Sequence, residues 1–281
     1  MDNIVTSGVN RRTFLAGSVG TLAALGLASQ PSVASATPTF KVYNAVRARP
    51  DLSAYGVPKR TMIYQNALLV GDNADQSLVQ STIQTNLNAG VTQACLDIEA
   101  WPLDGLSDAD FAVNAAKYNQ VADWAKAVNP SFRVGWYGIL PRRDYWSVIQ
   151  GNTAGWYADN ARRQGIADHV DDVYPSLYTF YTDQAGWVNY ANANMTQAGI
   201  YNRPGYAIIW PKYHPSAPVD IRGTFIARDY WRLQLETILA HGLSTGSAIA
   251  GVAIWNDDST WDPTAGWWLE TIDFVNAHNL G

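Results

Sequence analysis

The chain has 281 residues, of which 47% are hydrophobic and only 15% are charged, with a net charge of −5. A disordered chain or a nucleic-acid-binding protein needs more charge, or more concentrated charge, so both classes are excluded. Tryptophan and tyrosine are abundant, with 12 and 15 residues. Aromatic rings in such numbers favour a protein whose binding site is lined by flat apolar faces, the kind that stack on sugar rings.

The first 36 residues have the pattern of a twin-arginine export signal. Arg11-Arg12 precedes an apolar run from Leu15 to Ala28, and Ala34-Ser35-Ala36 fits a small-residue cleavage site. The apolar run is too short and too rich in glycine to span a bilayer well. We therefore expect export to the periplasm or the medium, no stable membrane anchor, and a single domain of residues 37–281 with a net charge of −6.

From residue 37 onward, short apolar strands alternate with stretches of helical length. The predicted strands are Lys41–Ala45, Thr61–Gln65, Thr92–Ile98, Arg133–Gly138, Val170–Leu177, Gly205–Trp210 and Gly251–Trp255. The predicted helices lie near 76–89, 108–128, 153–164, 184–199, 228–242 and 264–278.

Strands that alternate with helices indicate an α/β fold with a parallel sheet and right-handed crossovers. An open doubly wound sheet has the same alternation. A closed TIM-like (β/α) barrel of seven to eight strands is favoured, because no glycine-rich phosphate loop follows the first strand. Polar and aromatic residues also cluster after nearly every strand, at the end where barrel enzymes place their sites.

The most informative segment is the third strand, which ends in two acids, Asp97 and Glu99. Side chains two apart on a strand face the same side, so both carboxyls point into the mouth of the barrel, with Cα atoms about 6.5–7 Å apart. Two such charges raise the proton affinity of one carboxyl. One protonated and one charged carboxyl are what cleavage of a glycosidic bond requires. The alternative is a structural pair neutralised by arginine or backbone donors.

The other strand ends supply candidate substrate-binding residues. Trp210 and Trp255 suit stacking on sugars, and tyrosine hydroxyls suit hydrogen bonds to a sugar or a developing charge. Arg142, Arg143 and Lys212 either meet a carboxylated or sulfated sugar or are solvated loop charges. The candidates at these positions are Trp101, Tyr137, Arg142, Tyr178, Trp210, Lys212, Trp255, Asn256 and Asp257.

Neither a metal nor a cofactor is expected. The four histidines show no paired metal-ligand spacing. The single cysteine, Cys95, excludes an intrachain disulfide and is expected to be buried packing. Gly242-Leu243-Ser244-Thr245-Gly246 matches a hydrolase nucleophile elbow, but it follows a predicted helix where that motif needs a strand.

Five motifs in order resemble the hyaluronidase family of glycoside hydrolases, with a fainter likeness to the family 18 chitinases. They are Phe40-Lys41-Val42-Tyr43-Asn44, Asp97-Ile98-Glu99-Ala100-Trp101, Gly135-Trp136-Tyr137, Tyr174-Pro175-Ser176-Leu177-Tyr178 and Gly251-Val252-Ala253-Ile254-Trp255. The likeness runs over most of residues 40–258. It implies a distorted barrel of about seven strands, in agreement with the count of predicted strands.

The resemblance also implies roles for individual residues. Glu99 would be the general acid and then the base, and Asp97 would orient the acetamido group of the substrate, whose carbonyl oxygen attacks the anomeric carbon. Tyr174 would hydrogen-bond that acetamido group, with Tyr137 nearby, and Trp255 would form the floor. The chain departs from the family by having Ala100 where a second acid follows the glutamate, by lacking the paired cysteines of animal hyaluronidases, and by being shorter.

Several functions remain open from the sequence. A retaining hydrolase of an N-acetylated polysaccharide is the first, and a lysozyme-like barrel that cuts peptidoglycan is the second. A third is a carbohydrate-binding barrel without activity. In a fourth, Asp257 or Asp258 acts as a protein nucleophile opposite Glu99. In each case we expect a monomer whose partner is a polysaccharide or glycan.

Overall fold

The computed structural model describes residues 40–281, so the predicted export signal lies outside the described residues. The strands are β1 (Lys41–Asn44), β2 (Thr61–Tyr64), β3 (Leu69–Val70), β4 (Asn73–Ala74), β5 (Gln93–Asp97), β6 (Arg133–Trp136), β7 (Gly205–Ile209) and β8 (Ile249–Ile254). The helices are α1 (Gln76–Asn88), α2 (Asp108–Val128), α3 (Tyr145–Ile149), α4 (Ala154–Arg162), α5 (Gln164–Ala167), α6 (Gln184–Gly199), α7 (Arg228–Gly242) and α8 (Gly266–Ala277).

Side-chain caps fix where several helices begin. Ser107 accepts a hydrogen bond from the backbone N–H of Asp110 at 3.2 Å and so caps α2. Asp75, Asp144 and Asp183 cap α1, α3 and α6 in the same way. The described helices include none that is both long and apolar enough to cross a membrane.

The large strands pair in parallel, which confirms the α/β class. They form two three-stranded sheets with the orders β1-β8-β7 and β2-β5-β6, while β3 and β4 form a small antiparallel hairpin. Isolated parallel bridges link the two sheets, at Asn44–Lys59 on one side and on the other through Val173 and Tyr174, which bridge to Gly205 and Tyr137. The pairing therefore gives two linked sheets, and the expectation of one continuous closed sheet is met only in this looser form.

The predicted strand at Val170–Leu177 is not a regular strand. It touches its neighbours through single bridges, such as Val173 with Gly205 and Ser176 with Ile208. Pro175 interrupts it, because proline has no N–H to donate to a ladder. The segment nonetheless lies between β6 and β7, so it occupies the place in the strand order that the sequence predicts.

The segment that follows β1 pairs with β8 and not with β2, so a gap separates β1 from β2. The N–H groups of Ala45 and Arg47 donate to the carbonyls of Ile254 and Asn256, both at 2.9 Å, so the chain continues along β8. Toward β2, the N–H of Asn44 donates to the carbonyl of Pro58 and the N–H of Arg60 donates to the carbonyl of Asn44, both in the segment just before β2.

Two separate apolar clusters support the fold. The larger one packs the helices against the outer faces of the strands, with residues such as Val121, Trp231 and Phe274. The smaller one lies on the opposite faces of the strands and contains Cys95, as predicted for a buried thiol, along with aromatic side chains. Apolar side chains on both faces of these strands are therefore buried, one face under the helices and the other in the smaller cluster.

Gly135 in β6 is required by close packing. A Cβ at this position would collide with the carbonyl oxygen of Asp172 and would lie 2.7 Å from the ring of Tyr174. Overpacking of this kind typically costs about 1–3 kcal/mol, so we expect Gly135→Ala to lower the free energy of unfolding by that amount, as measured by urea denaturation.

The matched control is Gly155→Ala in α4, where an added Cβ meets nothing within 4 Å. This change is expected to leave stability unchanged or to raise it by up to about 1 kcal/mol. Equal effects from the two substitutions would show that the contact with the 172–174 segment is not what selects glycine.

Candidate active site

A cavity of about 140 Å³ opens where the parallel strands reach their carboxyl ends. Each lining residue lies on a strand or in the segment that directly follows one, as expected for a site of this fold. The lining consists of Met62, Asp97, Glu99, Tyr137, Tyr178, Trp210, His214, Pro215 and Trp255. The structure thus brings both predicted acids and four of the predicted aromatic residues to one place.

Asp97 is the last residue of β5 and sits deep in this cavity. Its Oδ1 atom is buried and has no hydrogen-bond partner among the described residues. Burial raises the pKa of Asp97 to about 7, and the nearby charge of Glu99 raises it further in the same direction. No arginine or lysine forms an ion pair with it among residues 40–281, so the structure does not show the neutralised pair that was the alternative.

Glu99 lies at the mouth of the cavity on a short loop that is held by two side chains. Gln65 accepts hydrogen bonds from the backbone N–H groups of Glu99 and Ala100, at 3.0 and 3.2 Å. The hydroxyl of Tyr118 lies 2.9 Å from the carbonyls of both Ile98 and Trp101 and shares its one proton between them. The loop is fixed while the glutamate itself is exposed, as a group that meets substrate needs to be.

Trp101 belongs to this support and does not line the cavity, so its role in substrate binding stays a prediction. Its side chain is buried, and its indole N–H donates to the carbonyl of Asp72 at 2.8 Å. Its ring packs edge-on against Tyr118 at 5.3 Å. The residue anchors the Glu99 loop because its indole faces α2 and the β3–β4 hairpin.

Aromatic side chains form one wall of the cavity. Tyr178 stacks on Trp255 with ring centroids 5.9 Å apart, and Trp210 meets Trp255 edge-on at 4.8 Å. The indole N–H of Trp255 donates to the hydroxyl of Tyr64 at 2.9 Å, which fixes the plane of the ring. The wall provides flat, rigid apolar faces beside the two carboxyls.

Tyr137 completes the wall on the side of β6. Its hydroxyl lies 3.2 Å from Oγ of Ser176. Burial raises the pKa of Tyr137 to about 12, so it stays a neutral hydrogen-bond donor across the physiological range.

Tyr174 does not line the cavity, so its contact with substrate stays a prediction that its position does not support. It is fully buried, its ring stacks on Tyr206 at 5.8 Å, and its hydroxyl accepts a hydrogen bond from Arg60 at 3.4 Å. Tyr178, four residues further along the same segment, lies in the layer with the carboxyls. The two tyrosines face the same interior at different depths.

Four other predicted binding residues serve the framework. Arg142 forms ion pairs with Asp144 and Asp159. Lys212 contacts Asp257 at 3.0 Å and Asp258 at 2.5 Å, which joins the loops that follow β7 and β8. Asn256 is buried and donates to Asp258 at 3.0 Å. None of Arg142, Lys212, Asn256 and Asp257 lines the cavity.

Sequence reasoning missed three residues that line the cavity: Met62, His214 and Pro215. Met62 sits at the centre of β2, and period-two alternation from Tyr64 would have placed it on the interior face. Burial, followed by the charge of Arg143, lowers the pKa of His214 to about 4, so the imidazole is neutral at neutral pH.

The described residues contain no cluster of His, Cys, Asp or Glu that could hold a metal ion. The site offers instead a buried carboxyl that keeps its proton up to about pH 7, an exposed carboxylate and an aromatic wall. This set is suited to protonating a leaving-group oxygen beside a stacked ring.

No family model and no curated protein matches the chain. Among solved structures, bee venom hyaluronidase aligns with a TM-score of 0.59 and 15% identity, over 85% of this chain and 97% of that chain. The same enzyme "in complex with hyaluronic acid tetramer" aligns with a TM-score of 0.56 and 13% identity, over 85% and 96%. These matches show that the fold is shared.

Proposed function

We propose that this chain is a glycoside hydrolase that cleaves a polysaccharide by a retaining mechanism. The observation that carries the proposal is the pairing of Asp97 and Glu99 in a cavity with an aromatic wall, at the carboxyl ends of parallel strands. The shared fold supports it, because bee venom hyaluronidase was solved with a bound hyaluronic acid tetramer. The ordered motifs in the sequence point to the same family.

Glu99 is the group that we assign as general acid and base. It is exposed on a fixed loop, so it reaches the leaving-group oxygen, whereas Asp97 is recessed behind it. Burial raises the pKa of Asp97 to about 7, so a proton is held directly beside Glu99 near neutrality. In the first step Glu99 donates a proton to the leaving oxygen as the glycosidic bond breaks.

An acetamido group of the substrate takes the place of a protein nucleophile. Its carbonyl oxygen forms a bond to the anomeric carbon, and water later opens the cyclic product while Glu99 recovers the proton. Asp97 lies beside this centre and orients the acetamido group. The positions of Asp257 and Asp258 argue against either of them as the nucleophile. Both form ion pairs with Lys212, and neither lines the cavity.

The fold and the cellular location belong to the same proposal. The segment 173–179 bridges β6 to β7, and Asn44 bridges β1 to β2, so we treat the two sheets as the wall of one seven-membered barrel. The twin-arginine pattern in residues 1–36 supports export of the folded domain to the periplasm or the medium.

The test is a panel of polysaccharides that includes hyaluronan, chitin, peptidoglycan and uronic-acid polymers. We expect the release of reducing ends from at least one of them, with retained anomeric configuration by NMR. A thiazoline analogue of an N-acetyl sugar should inhibit this release competitively. Peptidoglycan as the only substrate would identify a lysozyme-like enzyme. Binding without turnover on every polymer would overturn the assignment as a hydrolase.

A further inference from the structure

A row of aromatic rings leads away from the active-site cavity over the surface. We call it the aromatic ridge, and it consists of Tyr145, Trp146, Phe180 and Tyr181. The first two begin α3, which follows β6, and the last two follow the 173–179 segment, which is the neighbour of β6. Because both pairs come after the carboxyl ends of adjacent strands, the ridge lies on the same face of the fold as the cavity.

The aromatic ridge is continuous with the lining of the cavity. His214 lines the cavity, and the centroid of its ring lies 4.4 Å from that of Phe180. The rings of Phe180 and Tyr181 follow at 6.4 Å, and those of Tyr181 and Trp146 at 5.3 Å. A chain of sugars that leaves the cavity past His214 therefore meets the ridge next.

Trp146 is the outer end of the aromatic ridge and is 50% exposed. Its ring touches Tyr145 edge-on at 5.3 Å and leaves much of the indole open to solvent. Single exposed apolar side chains are common on protein surfaces and need no explanation. A contiguous exposed row that begins at a ligand cavity is different, because such patches mark binding surfaces.

The rings of the aromatic ridge are held in place by their neighbours. The hydroxyl of Tyr145 donates to Asp183 at 3.1 Å, and its ring packs against the buried Tyr190 at 5.8 Å. The guanidinium of Arg143 lies 4.4 Å from the ring centroid of Phe180. Rings that are already fixed lose little conformational freedom on binding, so more of the contact energy appears as affinity.

His214 adds a fixed hydrogen-bond donor where the ridge begins. Its Nδ1 atom accepts a hydrogen bond from the backbone N–H of Ser216 at 3.0 Å, so the proton of the neutral ring is on Nε2. Within residues 40–281, Nε2 forms no hydrogen bond. One oriented polar group beside several aromatic faces is the usual make-up of a site for a small organic ligand.

We infer that the aromatic ridge is a second glycan-binding site, which takes the pyranose units next to the one held in the active site. The sugars stack their apolar faces on Tyr181 and Trp146, and His214 donates a hydrogen bond to a sugar oxygen at the entrance. Recognition by ring faces and one uncharged donor does not depend on charge. The identity of the polymer rests on the proposed function, whereas the ridge itself is tested by binding alone.

The experiment compares short and long oligosaccharides by titration calorimetry. Disaccharides and hexasaccharides of chitin, cellulose and hyaluronan are titrated into Glu99→Gln protein, which lacks the proposed acid and leaves the ligands intact. Trp146→Ala is added to this parent as the test, and Tyr55→Ala as the matched control. Tyr55 is 51% exposed, packs edge-on against Trp268 at 5.5 Å and does not line the active-site cavity.

We expect Trp146→Ala to bind the preferred hexasaccharide about tenfold more weakly, which corresponds to about 1.4 kcal/mol, and the disaccharide like the parent. Tyr55→Ala should bind both like the parent. At an ionic strength of about 1 M, where the Debye length is about 3 Å, the preference for the hexasaccharide should persist. A preference that disappears in salt would assign the effect to the charge of Arg143 and overturn stacking as its cause.

Two further variants separate the donor of His214 from the packing of its ring. Asparagine offers a side-chain oxygen to the N–H of Ser216 but no donor at the position of Nε2, whereas glutamine places an amide N–H near that position. His214→Asn should weaken hexasaccharide binding by about threefold to tenfold, the net value of one hydrogen bond. His214→Gln should recover part of this loss. Equal losses would show that His214 acts by packing and would remove its role as donor.

Two results would overturn the inference as a whole. One is a parent protein that prefers no hexasaccharide to its disaccharide, or a Trp146→Ala variant that keeps that preference. The other is a change of oligomeric state in Trp146→Ala by analytical ultracentrifugation with unchanged glycan binding, which would assign the ridge to a second copy of the chain. Failure of the proposed function looks different, because hexasaccharides would then bind through Trp146 while wild-type protein cleaves no polymer.

Discussion

Replacement of Glu99 by glutamine is expected to lower polysaccharide hydrolysis by about 100- to 10,000-fold, the usual contribution of a general acid. Glutamine has nearly the same size and keeps the loop contacts, which are made by the backbone of Glu99 and Ala100 to Gln65. It removes the exposed carboxyl that we assign to donate the proton and to recover it. Substrate affinity should change little, because the aromatic wall is untouched.

The measurement is the initial rate of reducing-end release together with calorimetric binding of the same substrate. Glu236→Gln in α7 is the matched control, since Glu236 pairs with Arg232 away from the cavity. It should retain wild-type rates. Full activity in Glu99→Gln, or covalent sugar trapped on Asp257 or Asp258, would contradict the assignment of Glu99.

Replacement of Asp97 by asparagine is expected to stabilise the protein at pH 8 while lowering its activity. In the folded protein the pKa of Asp97 is raised from 3.8 to about 7, mainly by burial. Between these values the folded state binds more protons than the unfolded state, so stability falls as pH rises through this window. Above about pH 7 the full cost of the buried charge is present, and asparagine removes it.

The expected gain in the free energy of unfolding is about 2–4 kcal/mol at pH 8, since one unit of pKa corresponds to about 1.4 kcal/mol. Near pH 4 the two proteins should be close to equal. Urea denaturation at several pH values between 4 and 8 measures the free energy of unfolding of the variant and of the wild type. Asp220→Asn at an exposed position is the control and should reproduce the wild-type profile. A variant less stable than the wild type at pH 8 would show that Asp97 is ionised and satisfied in the folded state.

Much of the candidate site could be predicted because it depends on short-range periodicity. The alternation along β5 placed Asp97 and Glu99 toward one cavity, and the position after each strand placed Tyr137, Trp210 and Trp255 beside them. The boundaries of α2 and α6 agree with their prediction for a similar reason, since caps and apolar spacing act within a few residues.

The roles of the other candidate residues depended on how deep each side chain lies in the interior and on which distant residue it pairs with. Tyr174 and Tyr178 have the same parity on one segment, so alternation gives both an inward direction without saying which one reaches the cavity. Lys212 and Arg142 are equally plausible as ligand-binding cations in the sequence. Their acidic partners, Asp257 and Asp159, lie 45 and 17 positions away, and only folding brings them together.

The sequence by itself determined the α/β alternation, the acid pair at the end of one strand and the aromatic character of the surrounding wall. Local physical rules govern these features, namely side-chain periodicity and the helix caps. Only the tertiary structure decided that Asp97 is the carboxyl whose pKa is raised, that Trp101 anchors the Glu99 loop, and that Tyr174 is buried with Arg60 as its hydrogen-bond donor. Burial and long-range pairing set these outcomes, because they depend on which distant residues exclude water from a group.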